Sequence, residues 1–412
     1  MKTILKISLF SLGAALIGFW PGGAGAQIGA PGRCGLASPG GILGLAPGGA
    51  AARAAMIKRT LKCLQATGQA PTKGSPGAGG QFVTFDPPGS TWTIPSGITP
   101  DGTITGYYCD TAACAAQFAV SGAHGFLRSP SGSFTTFDPR GSTSTFVGSI
   151  STNGAIAGTY CSTTACAPIH GFVRARDGTF TTFDSPAGSG GLVAPIWNVG
   201  GPPPDINSAG AVAGTYFVTT PSYAEHGFLR DKSGAFTTID VSGASLTEVS
   251  VINPSGTIVG DFNTQTEFGV GFIRSPNGSF TTIDAPGSVA CGGFTAPVAI
   301  NPAGAVAGLT QDPTCSIPLG YLRTPDGTVT TFGVPSALNF EAMAINPAAL
   351  ITGWFFDNSG VHGYLRTLDG AITPFDVPGS FGTFAFEISA PGAVIGGYYD
   401  ANFVPHGFLR LP

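Results

Sequence analysis

Residues 206–240 read INSAGAVAGTYFVTTPSYAEHGFLRDKSGAFTTID, and this stretch contains the three motifs from which the fold can be predicted. It opens on an Ile-Asn pair followed by two spaced glycines. It continues to His-Gly-Phe-Leu-Arg at 226–230 and ends on Phe-Thr-Thr-Ile-Asp at 236–240. Short apolar runs bounded by glycine, asparagine and serine are typical of β-strands joined by tight turns. The stretch therefore predicts four consecutive short strands.

The same three motifs recur seven times along the chain, always in the same order. The isoleucine of the first motif stands at 98, 150, 206, 252, 300, 345 and 388. The arginine that ends the second motif is Arg128, Arg174, Arg230, Arg274, Arg323, Arg366 and Arg410. The third motif ends at Asp86, Asp138, Asp184, Asp240, Asp284, Gly333 and Asp376. A repeat of about 45 residues with four strands is typical of a β-propeller blade.

The two ends of the repeat region complement each other. Residues 81–86 form a lone third motif, and residues 406–410 form a lone second motif. We therefore predict an all-β, seven-bladed β-propeller over residues 81–412, in which the first strand pairs with the last one and leaves no open sheet edge. An open β-solenoid and a two-part sandwich are the alternatives. A solenoid would need capping repeats, which the sequence lacks.

The three motifs together resemble the HAF-type extracellular repeats of bacteria, which are named for a His-Ala-Phe strand. In place of His-Ala-Phe, this chain has His-Gly-Phe or Gly-Tyr, as at His226-Gly227-Phe228. The resemblance covers about residues 81–412. It implies an exported repeat protein, but it implies no particular activity.

The first 80 residues differ from the repeats. Lys2 and Lys6 precede an apolar run that ends before Ala24-Gly25-Ala26, which predicts a signal peptide over 1–26, cleaved near Ala26-Gln27, and a secreted or periplasmic protein. This run is too short to span a membrane, and no later apolar run is long enough to do so. Residues 27–80 are rich in Gly, Pro and Ala, and they include one predicted short basic helix at about 50–67.

Charge is distributed unevenly between these two parts. Residues 27–80 carry six basic and no acidic side chains, whereas residues 81–412 carry 10 basic and 22 acidic ones, a net charge of −12. An acidic body argues against a nucleic-acid partner.

Segment lengths separate the two ends of the predicted blades. The steps that contain the a–b and c–d turns are constant, at 8 and 14 residues. The d–a step varies from 12 to 22 residues and the b–c step from 9 to 18. We call the a–b and c–d turns the fixed face, and the d–a and b–c loops the variable face.

Binding residues concentrate in loops on a rigid scaffold. The exposed aromatic candidates of the variable face are Phe118, Trp197, Tyr223 and Phe268, although each could simply pack its own loop. Trp354 follows a strand glycine and is predicted to lie in the core.

The eight cysteines fit an oxidising compartment, and none forms a paired Cys-x-x-Cys zinc motif. Loop positions predict the disulfides Cys109–Cys114, Cys161–Cys166 and Cys291–Cys315 on the variable face. Cys34 and Cys63 are left to pair with each other.

All five histidines begin a strand c, and each stands opposite an acid in the predicted hairpin. The pairs are His124 with Asp138, His170 with Asp184, His226 with Asp240, His362 with Asp376, and His406 with Asp86. A single His–Asp pair resembles part of a catalytic relay. Repetition around the ring instead predicts a structural hydrogen bond, because an active site needs only one such pair. The arginines are likewise predicted to bond turn carbonyls.

Other site chemistry is weakly supported by the sequence. Five acids near the ends of strands b could provide oxygen ligands for calcium, but no Asp-x-Asp-x-Asp spacing accompanies them, so we predict no metal site. These acids are Asp110, Asp261, Asp312, Asp357 and Asp400. Nucleophile, phosphate-loop and dinucleotide motifs are absent, and no cofactor is predicted.

These observations favour a secreted, non-catalytic binding or scaffolding module that recognises a glycan or a protein through its variable face. The alternative is a secreted glycan- or ester-cleaving hydrolase with carboxylates in the central funnel.

Overall fold

A computed structural model of the chain describes residues 80–112, 114, 122–166, 168–187, 191–193, 203–218, 224–288, 294–315 and 318–412, with residues 191–193 described by their backbone alone. The predicted signal peptide and the predicted helix at about 50–67 lie outside these ranges. Across the described part of the chain, no helix is long and apolar enough to cross a membrane.

Antiparallel β-sheets make up the fold, and within each repeat the strands are named a to d in chain order. Strand a is β2 (Trp92–Ile98), β6 (Ser144–Ile150), β11 (Asp205–Ile206), β15 (Leu246–Ile252), β19 (Thr295–Ile300), β23 (Asn339–Ile345) and β27 (Gly382–Ile388). Strand b is β3 (Ile104–Cys109), β7 (Ile156–Cys161), β12 (Val212–Val218), β16 (Ile258–Asn263), β20 (Val306–Gln311), β24 (Ile351–Asp357) and β28 (Val394–Tyr399).

Strands c and d complete each sheet on the outer side. Strand c is β4 (Ala123–Arg128), β8 (Ile169–Arg174), β13 (Ala224–Arg230), β17 (Val270–Arg274), β21 (Pro318–Arg323), β25 (Gly360–Arg366) and β29 (Pro405–Arg410). Strand d is β5 (Phe134–Phe137), β9 (Phe180–Phe183), β14 (Phe236–Ile239), β18 (Phe280–Ile283), β22 (Val329–Phe332), β26 (Ile372–Phe375) and, from the start of the chain, β1 (Phe82–Phe85).

We number the repeat units 1 to 7 by their strand a, so unit 1 begins with β2 and unit 7 combines β27, β28 and β29 with β1. Within a unit the hydrogen-bonded order is a-b-c-d. Units 6 and 7 belong to one eight-stranded sheet, because Val361 and Gly382 form a bridge between β25 and β27. Unit 3 has an extra strand, β10 (Gly191–Val193), which pairs with β12 beside β11. The 22-residue d–a step of unit 3, from Asp184 to Ile206, therefore contains a short strand of its own.

The a–b turns follow the predicted Asn-x-x-Gly pattern. In unit 3 the Gly210 amide donates to the Asn207 carbonyl at 3.0 Å, and Gly210 has a φ of +83°. Ala349 replaces this glycine in unit 6 and still adopts a φ of +57°. The sheet therefore imposes this turn geometry even on alanine, for which the positive φ costs about 1 kcal/mol.

Asparagine side chains link successive a–b turns around the fixed face. Their amide nitrogens donate to backbone oxygens of the following unit: Asn207 to Asn253 at 3.2 Å, Asn253 to Asn301 at 3.2 Å, Asn301 to Asn346 at 3.1 Å and Asn346 to Ser389 at 3.3 Å. All four side chains are buried. Because buried polar groups need partners, this chain of bonds fixes each turn against its neighbour.

The second glycine of the first motif is required by a bulge in strand a. The pairing between strands a and b shifts at one position in units 1, 2, 4, 5, 6 and 7. Just before this shift the strand-a carbonyl approaches the glycine, so a Cβ on Gly353 would lie 1.9 Å from Glu341 O and one on Gly260 would lie 2.0 Å from Glu248 O. A side chain at this position would force the two strands apart.

Neighbouring units pack through aromatic rings from strand d. In unit 1, Phe137 lies over Gly125 of its own strand c, where a Cβ would come within 2.4 Å of the ring. The other side of the ring meets unit 2, at 6.5 Å from the Phe172 ring and 5.0 Å from the Arg174 guanidinium. The same stacking of an arginine on the preceding unit's ring occurs for Arg128 on Phe85, Arg230 on Phe183, Arg366 on Phe332 and Arg410 on Phe375. The arginines also donate to the carbonyl of the next residue, as predicted, for example Arg366 to Thr367 at 3.2 Å.

The first and last strands of the described chain pair with each other. β1 runs antiparallel to β29, with Phe82 opposite Arg410 and Phe85 opposite Gly407. Strand a of each unit contacts strand a of the next, and β27 contacts β2. Phe85 packs against Phe126 of unit 1 at a ring distance of 6.3 Å.

Deleting residues 81–86 should lower the melting temperature by about 5–10 °C or more and cause aggregation, because it exposes the edge of β29 and removes the ring of Phe85. Thermal melts with light scattering measure both effects. Deletion of residues 27–70 is the control and should leave the melting temperature unchanged. An unchanged melting temperature after the first deletion would rule out a structural role for β1.

Candidate functional site

The variable face contains one predicted aromatic candidate that the structure describes. Phe268 lies in the loop between β16 and β17, and its exposed fraction of 65% is the largest among the exposed apolar side chains of the described residues. Phe118, Trp197 and Tyr223 lie outside the described residues. Trp354 is buried against Phe384 at a ring distance of 5.3 Å, which confirms its predicted place in the core.

Two loops of the variable face are closed by the predicted disulfides. Cys109 is bonded to Cys114 and Cys161 to Cys166, with Cα–Cα distances of 5.6 and 4.7 Å. Cys315 is also disulfide-bonded. Its predicted partner Cys291, together with Cys34 and Cys63, lies outside the described residues, so these two pairings stay predictions.

Each of the five histidines contacts its predicted acid through Nδ1. The Nδ1-to-carboxylate distances are 2.7 Å for His124 and Asp138, 2.5 Å for His170 and Asp184, 2.8 Å for His226 and Asp240, 3.0 Å for His362 and Asp376, and 2.7 Å for His406 and Asp86. In unit 5, which has neither residue, a Cβ on Gly333 would lie 2.8 Å from the Leu319 side chain. The two positions of this pair therefore face each other in these six units.

These pairs belong to a larger network that includes the next unit. The Thr145 hydroxyl of unit 2 donates to Asp138 of unit 1, and Thr93 of unit 1 donates to Asp86 of unit 7 at 2.6 Å. Each histidine ring also lies against an aromatic residue of strand b. The ring distances are 5.6 Å for Tyr108 and His124, 5.0 Å for Tyr160 and His170, 5.2 Å for Tyr216 and His226, 5.2 Å for Phe355 and His362, and 5.2 Å for Tyr398 and His406. Such contacts hold the histidines in fixed orientations.

Three of the acids considered as calcium ligands instead approach a histidine from its other side. Nε2 lies 3.7 Å from Asp110 in His124, 3.4 Å from Asp357 in His362 and 3.8 Å from Asp400 in His406. Burial lowers the pKa of His362, but the bonds and charges of Asp376 and Asp357 outweigh it and raise the pKa above its ordinary value. Among the residues that the structure describes, no group of three or more such side chains could hold a metal ion.

A pair of carboxylates that sequence reasoning did not identify lies on the innermost strands. Asp205 of β11 and Glu387 of β27 each stand directly before the motif isoleucine, at the end of strand a nearest the fixed face. Burial raises the pKa of Glu387 to about 7, the charge of Asp205 adds to this effect, and the bond from the Ile388 amide opposes it. Burial also raises the pKa of Asp205. Units 3 and 7 are distant in sequence, so no local pattern could have predicted this proximity.

Both carboxylates also bond backbone amides of the inner strands. The Ile252 amide of the next unit donates to Asp205 at 2.9 Å, and the Ile388 amide donates to Glu387 at 2.9 Å. Ser149, at the same position in unit 2, accepts from the Ile206 amide at 3.0 Å. Polar side chains before the isoleucine therefore satisfy amides at the inner sheet edge. This role accounts for the two acids without catalysis.

Comparison with solved structures shows propeller-like neighbours. Streptogramin B lyase shares 15% identity with a TM-score of 0.51, over 82% of this chain and 100% of that one. A catalytically inactive variant of virginiamycin B lyase from Staphylococcus aureus, with quinupristin, shares 13% identity with a TM-score of 0.52, over 81% and 100%. Puromycin hydrolase shares 13% identity with a TM-score of 0.52, and the match covers 80% of this chain but only 54% of the hydrolase.

At these identities the likeness shows the fold alone. The chain thus has an all-β fold of antiparallel four-stranded sheets, similar to β-propeller proteins. No protein-family model matches the chain, and neither does any curated protein.

The His226→Ala variant should lower the free energy of unfolding by about 1–2 kcal/mol, because it removes the ring packed on Tyr216 and leaves Asp240 without its bond. Chemical denaturation at neutral pH measures this change. Lys232→Ala, at an exposed position in the c–d turn of the same unit, is the control and should have almost no effect. Equal stability of the two variants would contradict a structural role for the histidine.

The Glu387→Gln variant should be more stable than the natural protein at pH 8 but not at pH 4. A carboxyl group whose pKa rises from 4.5 to about 7 on folding loses stability as the pH increases through this window, because the folded state resists its ionisation. Glutamine cannot ionise and still accepts the Ile388 bond. We expect a gain of about 1–2 kcal/mol after allowance for solvent screening.

Denaturation curves at both pH values test this expectation, with the exposed Glu267→Gln as a matched control. A gain of the same size at both pH values would show that ionisation of Glu387 is not its cause.

Proposed function

We propose that the seven units close into one seven-bladed propeller and that the chain is an exported protein of the HAF-repeat type. The pairing of β1 with β29 and the contact between β27 and β2 support closure. The disulfides support an oxidising compartment. On this proposal residues 1–26 are the signal peptide, residues 27–80 a linker, and residues 81–412 the propeller.

The propeller acts as a non-catalytic binding module that recognises a glycan or a protein through its variable face. The exposure of Phe268 at the end of a b–c loop supports this role most directly, because a partner that covers a large apolar side chain gains free energy by removing that surface from water. Leu338, in the d–a loop of unit 6, is another exposed apolar side chain among the described residues of this face, with an exposed fraction of 41%.

Cross-links within the described parts of the b–c loops strengthen this proposal. Disulfides hold the b–c loops of units 1 and 2, and the Asn263 side chain accepts the Gly269 amide at 2.7 Å across the base of the Phe268 loop. Loops that are ordered before binding lose less conformational entropy when a ligand binds. The fixed face is occupied by short turns that are bonded to one another.

A secreted hydrolase is the second candidate, and the raised pKa values of Asp205 and Glu387 favour it, because catalytic acids often titrate near neutral pH. These acids lie near the fixed face, however, and away from the variable loops in which we expect the ligand. Both also bond inner-strand amides. The binding function therefore explains more of the described residues.

Ligands identified on a glycan array and in a peptide-display screen should bind at least tenfold more weakly to Phe268→Ala than to the natural protein, because an aromatic anchor at a binding surface contributes about 2 kcal/mol. Leu368→Ala is the matched control. Leu368 has a similar exposed fraction, 62%, but it lies in a c–d turn of the fixed face. Trp197→Ala belongs to the same series as the anchor predicted from sequence.

Titration calorimetry measures each affinity. Loss of binding in Leu368→Ala alone would place the ligand on the fixed face and contradict the proposal. Ligand turnover that Glu387→Gln abolishes would support the hydrolase instead.

A further inference from the structure

The outer hairpin of unit 4, formed by β17 and β18, lacks several contacts that fasten the equivalent hairpins. Its strand c begins at Val270, whereas strand c of five other units has a histidine at this position. In those units the histidine Nδ1 contacts the aspartate that follows strand d, and this contact joins the two strands near the variable face. Valine has no polar group with which to bond Asp284 in this way. β17 also pairs with β16 over five residues, whereas strands b and c of the other units pair over six or seven.

A bond from the following unit is missing at the same end of the hairpin. In units 1 and 2, Thr93 and Thr145 donate to the aspartate of the preceding unit, Asp86 and Asp138 respectively. Thr295 holds the equivalent position in unit 5, but its hydroxyl is buried and has no hydrogen-bond partner among the described residues. Unit 5 therefore does not hold the end of β18 through this bond.

The aromatic contact between neighbouring units is missing on both sides of unit 4. At five junctions a strand-d phenylalanine is covered by the arginine of the next unit. The other two junctions have Ile239 before unit 4 and Ile283 after it, and isoleucine offers no ring to a guanidinium. Unit 5 lacks the histidine as well, but its Phe332 is covered by Arg366 at 4.4 Å. Unit 4 therefore stands between the two junctions without this contact.

Arg274, which would cover the missing ring, is itself incompletely bonded. In five units the arginine donates from Nη1 to the carbonyl of the next residue: Arg128, Arg174, Arg230, Arg323 and Arg366. Nη1 of Arg274 is buried and has no hydrogen-bond partner within the described part of the chain. A buried donor without a partner destabilises the arrangement that buries it. The closed position of β17 is therefore less favourable than that of the other strands c.

Phe280, at the start of β18, is exposed where the neighbouring ring is absent. Its exposed fraction is 38%. The equivalent rings of units 1 to 3 are half-buried, because each contacts a ring of the preceding unit at 5.9–6.3 Å: Phe134, Phe180 and Phe236. Phe280 packs on Phe272 of its own unit, at a ring distance of 5.4 Å. It gains no such ring contact from unit 3.

The inner strands of unit 4, in contrast, are fastened to their neighbours. The Val249 amide of β15 donates to the Thr215 hydroxyl of unit 3 at 2.9 Å. In the a–b turn, the Asn253 carbonyl accepts from Asn207 and the Asn253 side chain donates to the Asn301 carbonyl, both at 3.2 Å. The missing contacts therefore belong to the outer hairpin.

We propose that β17 and β18 open locally from β16 as one hairpin, while β15 and β16 stay in place. Local opening takes place where the fewest contacts must be broken, and the hairpin of unit 4 has lost its fasteners at both ends. The closed arrangement dominates, and the open one is a minor state of the free protein.

The hinge of this motion is the b–c loop that contains Phe268. The Asn263 side chain accepts the Gly269 amide at 2.7 Å where the chain passes from β16 to β17. A ligand that contacts Phe268 in the closed arrangement stabilises that arrangement and suppresses the opening. This last step rests on the proposed binding function, whereas the opening itself does not.

Hydrogen–deuterium exchange of the full chain at neutral pH, followed by mass spectrometry, tests the opening without a ligand. Residues 170–183 form the equivalent hairpin in unit 2 and serve as the internal reference. After correction for intrinsic exchange rates, the amides of 270–283 should exchange roughly tenfold faster than those of 170–183. Amides of β15 should exchange as slowly as those of β6.

Ile239→Phe should slow the exchange of 270–283 severalfold, because it supplies a ring for both Arg274 and Phe280. The space for this ring has a precedent, since Phe137 is accommodated beside a unit whose Val147 occupies the position of Val249. Ile239→Leu, which adds no ring, is the matched control and should leave the exchange unchanged. Phe137→Ile is the reciprocal variant and should speed the exchange of 170–183 without altering that of 270–283.

Equal exchange of 270–283 and 170–183 in the natural chain would overturn the proposal. An equal slowing by Ile239→Leu and Ile239→Phe would show that the missing ring is not the cause, and would also overturn it. Fast exchange of 270–283 that ligands from the glycan array and the peptide screen leave unchanged would support the opening and reject Phe268 as the ligand contact.

Discussion

The ring at the end of strand d is the contact on which the rest of the structure depends. Four strand-d phenylalanines lie over the glycine of their own strand c and are covered by the arginine and the phenylalanine of the next unit: Phe85, Phe137, Phe183 and Phe375. Aromatic pairs and cation–π contacts each contribute about 0.5–1.5 kcal/mol beyond their buried area, and they recur at several junctions. The glycine and arginine of strand c and the ring of strand d, which recur in the motifs, all take part in this contact.

The fixed and variable faces follow from the same constraint. Asparagines bond successive a–b turns on the fixed face to each other, and arginines at the ends of strands c stack on rings of the preceding unit, so insertions there would separate neighbouring units. Loops on the other side do not take part in these bonds and can change in length at little cost to stability. The His–Asp pairs with their threonine bonds hold the sheets just below these loops. The scaffold is therefore rigid up to the base of the loops that we propose bind the ligand.

Positions at which a unit departs from the repeat sequence include its unusual buried polar groups. Four polar residues occupy positions that need not be polar in the repeat: Asp205, Glu387, Asp261 and Tyr321. At each position the buried charge or hydroxyl costs stability unless it forms a hydrogen bond or ion pair. Asp205 and Glu387 bond inner-edge amides, which explains them structurally.

The amino-acid sequence alone was sufficient for the strands, the Asn-x-x-Gly turns, the His–Asp pairs and the two short disulfide loops, because each depends on residues close together in the chain or repeated at a fixed spacing. Tertiary structure alone decided that Asp205 lies within electrostatic reach of Glu387 and that Asp261 lies within electrostatic reach of Tyr321. These contacts join different units, and they depend on how the sheets are arranged around the inner strands. Side-chain spacing within one unit contains no information about this arrangement.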